Sequence, residues 1–294
     1  MPSLLDPYIL TSIKDLSLAA KTTIDGFMSG ANKSAVKGTG MEFSQYRTYM
    51  PGDDLRWLDW KMFARSDRYY IRESETETNI SLRLLIDTSA SMDHRDGNYT
   101  KMEYARYLAA SLAYLANMQG DAIGLYTLRE DGIFSLAARQ GFQNLNRLFY
   151  QLEQAGPKGK FTHPVYYKDI YSGGSRRELL IFITDMYQEK DEMYKLLDLL
   201  NALRHEIIVL HIMGRNEMEL DYAGYTTLED LETGATIQVD AAKAKQVYAS
   251  HLDEHLAKIR HDLLTRNIYY RLLVMDQPVD EALRDFLYKR SKGY

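Results

Sequence analysis

Short apolar runs alternate along this chain with segments whose apolar residues recur at helical spacing. The clearest run, residues 82–86, stops at Asp87, and a second run, residues 179–183, stops at Thr184 and Asp185. Runs of this length between polar residues are typical of strands buried on both faces of a parallel sheet. Because amphipathic segments lie between the runs, the pattern predicts an α/β fold with a doubly wound, mostly parallel, Rossmann-like sheet.

The same periodicity predicts the order of the elements. Thr100 to Glu103 has the Thr-x-x-Glu form of a capping box, in which a hydroxyl and a carboxylate satisfy free backbone N–H groups at a helix start. Pro278 suits the first position of a last helix. The predicted helices lie within residues 4–25, from residue 101 to before Gly120, at 145–152, 193–203 and 241–264, and after Pro278. The predicted strands lie at residues 82–87, 122–128, 133–136, 178–184, 207–212 and 269–274, with a short β excursion at 228–239.

Residues 1–80 are predicted to form an N-terminal arm of helix and β structure, packed on a sheet domain of residues 81–294. Residues 69–78 alternate weakly in polarity, which predicts an edge or hairpin strand, and Pro51-Gly52 predicts a tight turn. Arginines, acids and tryptophans surround this turn, as in interface hot spots. A buried polar network that holds the arm in place is an open alternative, because charges beside tryptophan need partners once they lose water. The candidate partner-binding residues are Arg47, Asp53, Asp54, Arg56 and Trp60.

Composition excludes several classes of function. The net charge of -5 over 294 residues argues against a nucleic-acid binder, which would carry a basic surplus. The chain has no cysteine, which excludes disulfides, thiol catalysis and cysteine-ligated zinc and fits a reducing compartment. No apolar stretch approaches the roughly 20 residues that span a bilayer, and the first residues lack the pattern of a secretory signal. The sequence therefore predicts a cytoplasmic protein without a membrane span.

Candidate chemistry lies where two predicted strands end. Ligands of open α/β sheets bind outside the carboxyl ends of the strands, so parallel neighbours would bring two aspartates to one edge. Two serines follow the first aspartate at intervals of two residues, and a threonine lies in a loop after a predicted helix. Such oxygens suit Mg²⁺ or Mn²⁺ rather than zinc. We expect a divalent cation here, with one coordination position open for an acidic side chain of another protein. The predicted ligands are Asp87, Ser89, Ser91, Thr162 and Asp185. A capped strand-to-helix turn is the structural alternative for the first three.

Two sets of motifs resemble known families. Asp87-Thr88-Ser89-Ala90-Ser91 is similar to the Asp-x-Ser-x-Ser element of von Willebrand factor A domains, whose metal-ion-dependent adhesion site (MIDAS) also uses a threonine and an aspartate from later loops. From about residue 20 to the end, the chain resembles the bacterial family called domain of unknown function 58. The motifs that carry this second resemblance are Glu42-Phe43, Arg47-x-Tyr49-x-Pro51-Gly52-Asp53-Asp54-x-Arg56-x-x-Asp59-Trp60, Ala64-Arg65, Thr100-Lys101-x-Glu103, Gly120-Asp121 and Asp230-Leu231-Glu232-Thr233-Gly234.

The resemblance implies a function as well as a von Willebrand factor A-like fold. Members commonly accompany MoxR-type AAA+ ATPases, which implies a chaperone-like, non-enzymatic adaptor that binds Mg²⁺ and acts with such an ATPase on an unidentified client protein. Two positions depart from the A-domain pattern. Thr162 follows Lys160-Phe161 where the family has a Gly-Gly-Thr-like turn, and Met186 follows Asp185 where many A domains have glycine.

Other functions remain open from the sequence. A Mg²⁺-dependent phosphatase with Asp87 as its nucleophile fits the strand end, although the residue two positions later is serine and not the aspartate that would act as acid and base. In another alternative the metal site is vestigial and the arm from Arg47 to Trp60 is the working surface. His251 and His255 match an inverted zinc-protease pattern, but a solvated, charged helix face explains their spacing without a metal.

Overall fold

The computed structural model describes residues 16–21, 24, 45–50, 60–73, 80–171, 177–188, 191–220, 222, 224–279, 281 and 283. The chain divides into two compact units, one of Met1–Lys33 with Ile80–Tyr294 and one of Ser34–Asn79. The division at residue 80 into an arm and a sheet domain stays a prediction. The helical residues 16–21 and 24 belong to the larger unit, where Leu16, Ala19, Ala20 and Ile24 are part of the core.

Strands and helices alternate along the larger unit in the predicted order. The strands of the chain are β1 Gln45–Thr48, β2 Tyr70–Glu73, β3 Ser81–Asp87, β4 Arg95–Asp96, β5 Tyr99–Thr100, β6 Ala122–Arg129, β7 Gly132–Arg139, β8 Leu179–Thr184, β9 Glu206–Met213, β10 Tyr225–Glu229, β11 Thr236–Asp240 and β12 Tyr269–Val274. The helices are α1 Trp60–Ser66, α2 Lys101–Met118, α3 Phe142–Gln154, α4 Lys168–Tyr171, α5 Glu192–Ala202, α6 Arg215–Glu219 and α7 Ala241–Leu264. None of the described helices is both long and apolar enough to cross a membrane.

A six-stranded sheet organises the larger unit, in the order β12-β9-β8-β3-β6-β7. Five strands run parallel, and β7 returns antiparallel to β6 as the predicted hairpin partner. Every residue of β8 is buried, and in β3 only Ser81 is partly exposed. This burial on both faces is what the apolar runs predict, and the doubly wound, mostly parallel sheet is confirmed.

Two hydrophobic clusters cover the two faces of this sheet. Leu84 and Ile86 belong to one cluster and Leu85 to the other, because successive side chains of a strand point to opposite faces. The first cluster includes α2 and α3, and the second includes α5 and the C-terminal part of α7. With helices on both faces, the ends of the strands are the edge where a ligand can bind.

The capping box predicted at the start of α2 is present. The Thr100 hydroxyl accepts a hydrogen bond from the Glu103 backbone N–H at 3.2 Å, and the Glu103 carboxylate accepts one from the Thr100 N–H at 2.7 Å. This cap fixes Lys101 at the first position of the helix.

The smaller unit contains a strand pair and a short helix. β1 and β2 pair antiparallel, so the strand predicted within residues 69–78 is confirmed over Tyr70–Glu73. Phe63 of α1 stacks on Tyr69 with the ring centroids 4.5 Å apart. The turn predicted at Pro51-Gly52 lies outside the described residues.

A buried ion pair ties β3 to the start of β8. The Arg83 guanidinium donates to both oxygens of the Glu178 carboxylate, at 2.9 and 2.8 Å, and lies 4.5 Å from the ring centroid of Tyr126. The Arg83 side chain is 3% exposed and the Glu178 side chain 13%. Removing one partner of a buried pair leaves the other charge without compensation, which costs about 3–5 kcal/mol.

Arg83→Met is therefore expected to lower the free energy of unfolding by about 3 kcal/mol or more. Urea denaturation followed by circular dichroism measures this change. Arg147→Met, which removes an exposed arginine of α3, is the control and should change stability by less than about 0.5 kcal/mol. Equal stability of the two variants would show that the pair does not hold the strands together.

Candidate metal centre

The two aspartates predicted to meet do lie at the same edge of the sheet. β3 and β8 are parallel neighbours, with Ile86 opposite Ile183, so both strands end side by side. The Thr184 hydroxyl donates to Asp87 Oδ2 at 2.7 Å, which joins the two strand ends directly. Asp87 is fully buried and Asp185 is 5% exposed.

The loop after β3 brings both predicted serines to these carboxylates. The Ser89 N–H donates to Asp87 Oδ1 at 2.9 Å, which folds the chain back over the strand end. The Ser89 and Ser91 hydroxyls hydrogen-bond each other at 2.9 Å, and the Ser91 hydroxyl donates to Asp185 Oδ1 at 3.2 Å. Four of the five predicted ligands thus form one connected group.

Thr162, the fifth predicted ligand, lies on a loop that is fastened to the same turn. The Ala90 N–H donates to the Gly159 carbonyl at 2.7 Å, and the Lys158 N–H donates to the Thr88 carbonyl at 2.9 Å. The Thr162 side chain is fully buried, and its Oγ1 has no hydrogen-bond partner. A buried hydroxyl without a partner costs free energy, so this oxygen has the character of a ligand position.

Electrostatics within this group favour a cation. The pKa of Asp87 is raised to about 6 by burial and by the negative charge of Asp185, against hydrogen bonds from Thr184 and Ser89 that lower it. Two buried carboxylates that repel each other are stabilised when a positive charge binds between them. Within the described part of the chain, no three His, Cys, Asp or Glu side chains converge to hold a metal. The residues predicted from the sequence supply two carboxylates and three hydroxyls, oxygens of the kind that Mg²⁺ and Mn²⁺ prefer.

Lys101 is a member of the site that the sequence analysis did not assign. Its ammonium group donates to Asp185 Oδ2 at 2.9 Å and to Glu217 Oε1 at 2.7 Å, and its side chain is 5% exposed. Burial acts to lower the pKa of Lys101, but the charges of Asp185 and Glu217 outweigh it and raise the pKa. Lys101 holds one oxygen of Asp185, while the other oxygen faces Ser91. The motif Thr100-Lys101-x-Glu103 was the signal that could have indicated this residue.

Glu232, on the turn between β10 and β11, is the second member that was missed. Burial and the charges of Asp87 and Asp185 together raise the pKa of its carboxyl to about 7, while the hydroxyls of Ser89 and Ser91 act to lower it. Its Oε1 is buried and has no hydrogen-bond partner. The motif from Asp230 to Gly234 contributed to the family resemblance, but its sequence did not predict a role for Glu232 in the site.

Met186 follows Asp185 at the position where many A domains have glycine, and it adopts a backbone conformation that favours glycine. Its backbone is in the left-handed region, with φ of 55°, where glycine is favoured. The Met186 N–H donates to the Thr184 hydroxyl at 3.0 Å, and its side chain is 3% exposed. Burial of this side chain offsets the backbone strain.

The structure describes only two of the five candidate partner-binding residues of the arm. Arg47 lies on β1, and Trp60 begins α1 and is 60% exposed. Asp53, Asp54 and Arg56 lie outside the described residues, so partner binding by the arm stays a prediction.

His211 should make the stability of the protein depend on pH. It lies on β9, is fully buried and hydrogen-bonds the Tyr270 hydroxyl at 2.8 Å. Burial lowers its pKa to about 3, against 6.5 in the unfolded chain. The unfolded chain therefore binds one more proton below pH 6.5, and stability falls as the pH is lowered, by about 1.4 kcal/mol per pH unit from this group.

His211→Phe is expected to remove this contribution, so that the free energy of unfolding declines less steeply between pH 6 and pH 4 than in the wild type. Urea denaturation across this range measures the slope. His251→Phe, on the exposed face of α7, is the control and should keep the wild-type slope. Parallel slopes for His211→Phe and wild type would contradict a neutral, buried His211.

The six-stranded, mostly parallel sheet, with Asp87-Thr88-Ser89-Ala90-Ser91 at the end of an interior strand, is the fold expected from the resemblance to von Willebrand factor A domains. The chain belongs to the family described as "Protein of unknown function DUF58", whose model matches residues 45–258. This confirms the family predicted from the motifs.

This chain is similar to several curated proteins and solved structures. An uncharacterized protein of Mycobacterium tuberculosis is 26% identical over 234 residues, which are 78% of this chain and 73% of the relative, and one of Mycobacterium bovis matches equally. The conserved hypothetical protein BatB from Bacteroides thetaiotaomicron has a TM-score of 0.47 and 13% identity over 73% of this chain and 100% of its own. The SpRpn10 VWA domain has a TM-score of 0.42 and 11% identity over 71% of this chain and 95% of its own.

Proposed function

We propose that this protein is a non-enzymatic adaptor that binds an acidic side chain of a partner protein through a divalent cation, Mg²⁺ or Mn²⁺. The cation would be held by Asp87, Ser89, Ser91, Thr162 and Asp185. Its chemistry is that of a hard ion with one coordination position left for a carboxylate from outside the site. The protein's own part is to orient the oxygens and to exclude water from them.

One observation carries this proposal: Thr162 is fully buried with a hydroxyl that has no hydrogen-bond partner, on a loop fastened to the Ser89 turn. A hydroxyl that served only packing would normally bond to a backbone carbonyl within reach. Valine would fill the same space without the cost of an unpaired polar group. The hydroxyl therefore fits an oxygen ligand.

The partner in this proposal is a MoxR-type AAA+ ATPase, with an unidentified client protein that the two assemble or remodel. The family resemblance of the motifs supports this choice. An adaptor of this kind works where ATP is available, so the cytoplasmic location predicted from composition is part of the same proposal.

The experiment is capture of the MoxR-type ATPase of the same host on the immobilised protein, in Mg²⁺ and in EDTA. Wild type is expected to retain the ATPase in Mg²⁺ only, and Asp87→Ala in neither condition. Asp93→Ala, an exposed aspartate six residues further along, is the matched control and should behave as wild type. Retention that is equal in Mg²⁺ and EDTA, or unchanged in Asp87→Ala, would overturn the proposal and favour the arm around Arg47 to Trp60.

The geometry around Asp87 does not favour the phosphatase alternative. That reaction needs a general acid and base near the nucleophile, and the residue two positions after Asp87 is a serine. Ser89, where a second aspartate would act as acid and base, hydrogen-bonds Ser91 instead.

A further inference from the structure

The turn between β10 and β11 presents a carboxylate beside the candidate metal centre. Glu229 pairs with Thr236 at the end of the hairpin, and the Asp230 N–H and the Gly234 N–H close the turn on the carbonyls of Ala235 and Asp230 at 2.8 and 2.7 Å. Asp230 Oδ1 also accepts from the Glu232 N–H at 2.8 Å. These bonds give Glu232 a defined backbone position at the tip.

A hydrogen bond ties this tip to the loop that carries Asp185. The Tyr187 hydroxyl donates to Asp230 Oδ2 at 2.9 Å, and the Tyr187 N–H donates to Asp185 Oδ1 at 3.2 Å. One residue thus contacts both the candidate ligand Asp185 and the aspartate that shapes the turn. The tip is held at the strand ends by an interaction separate from Glu232 itself.

The Glu232 side chain is partly buried and interacts electrostatically with the site. Its carboxyl feels the charges of Asp87 and Asp185 and lies close enough to the Ser89 and Ser91 hydroxyls to interact with them. The two hydroxyls bond each other and Asp185, so Glu232 Oε1 is buried without a hydrogen-bond partner. Among the described residues, Glu232 Oε1 thus lacks a hydrogen bond and lies near two like charges, although the Ser89 and Ser91 hydroxyls favour the charged form of the carboxyl.

We propose that Glu232 is an in-chain ligand of the divalent cation, occupying the coordination position that the adaptor function leaves for a partner's carboxylate. The inference rests on the proposed function and adds a regulatory step to it. The described residues contain no group of three acidic side chains already placed to hold a metal, so Glu232 must move toward the ion to coordinate it. A partner's acidic residue must then displace Glu232, and binding is a competition between two carboxylates for one position.

The experiment is titration with Mn²⁺ alone, with water-proton relaxation as the readout, on wild type, Glu232→Gln and Glu229→Gln. Relaxation enhancement per bound Mn²⁺ increases with the number of water molecules on the ion. Glu232→Gln is expected to bind Mn²⁺ at least about 10-fold more weakly, because losing a direct ligand costs no less than losing an outer partner of the site, and to show greater enhancement because water takes the vacated position. Glu229→Gln removes an exposed carboxylate of the same hairpin and should match wild type.

The outcomes separate the two proposals. No Mn²⁺ binding by wild type and by Glu229→Gln would overturn the metal-dependent function and this inference with it. Mn²⁺ binding with the same affinity and the same relaxation enhancement in all three proteins would overturn the role of Glu232 alone. Glu232→Ala should repeat the result of Glu232→Gln, and a thermal denaturation curve establishes that both variants are folded.

Discussion

Asp87→Asn is expected to abolish Mg²⁺ binding and, in EDTA, to stabilise the protein. The carboxylate is the central predicted ligand, and an amide supplies one weaker oxygen without charge, so affinity should fall by at least about 100-fold, beyond the loss seen for outer partners of a metal site. The stabilisation follows from burial. The pKa of Asp87 is about 6 in the folded protein, whereas the ordinary value is 3.8. This difference means that folding disfavours the charged form of Asp87 by about 3 kcal/mol.

The sign of this effect sets its pH dependence. Because the folded protein binds the Asp87 proton more tightly than the unfolded chain, the contribution of Asp87 to stability is present below pH 3.8 and is lost as the pH rises through about 6. Above pH 7, Asp87→Asn should therefore exceed wild type in free energy of unfolding by about 1–3 kcal/mol. Urea denaturation in EDTA measures this, and calorimetry measures Mg²⁺ binding. Asp93→Asn is the control, and a wild-type Mg²⁺ affinity in Asp87→Asn would contradict its role as ligand.

Lys101→Met is expected to destabilise the protein strongly in EDTA and to make it depend on Mg²⁺. The ammonium group is the buried cation between Asp185 and Glu217. Its loss leaves two carboxylates uncompensated, at a cost of about 3–5 kcal/mol. Mg²⁺ binding at Asp185 replaces part of the missing charge, so the stabilisation by Mg²⁺ should be larger in Lys101→Met than in wild type.

Chemical denaturation with and without Mg²⁺ measures both effects. Lys195→Met removes a lysine that is 55% exposed and pairs with Asp191 one helical turn away, and it should change stability by less than about 1 kcal/mol. Equal stability of Lys101→Met and Lys195→Met in EDTA would show that the buried ion pairs of Lys101 do not contribute about 3–5 kcal/mol to the free energy of unfolding.

Elements that depend on local periodicity could be predicted closely from the sequence. The helix Ala241–Leu264 and the strand Tyr269–Val274 have the predicted bounds, and the capping box at Thr100 has both of its hydrogen bonds. The meeting of Asp87 and Asp185 followed from the rule that parallel strands end at a common edge. These features need only spacing and residue type.

Features that depend on long-range contacts could not be predicted in the same way. Lys101 reaches a residue 84 positions away, and no periodicity records such a pairing. Glu232 lies in a turn. The local sequence can predict that turn, but it cannot predict which part of the protein the turn packs against. Whether the Thr162 hydroxyl has a partner depends on every neighbour of a buried loop, so it follows only from the packed structure.

Calorimetric titration of Mg²⁺ into wild type, Thr162→Val and Thr127→Val tests most directly whether the two strand ends and the Thr162 loop together bind a divalent cation. Thr127, on β6, also has a buried hydroxyl without a hydrogen-bond partner but is not among the candidate ligands, so its valine variant is a matched control. We expect wild type and Thr127→Val to bind one Mg²⁺ with equal affinity and Thr162→Val to bind about 10-fold more weakly while remaining folded. Failure of wild type to bind Mg²⁺, or equal affinities in all three proteins, would contradict the account.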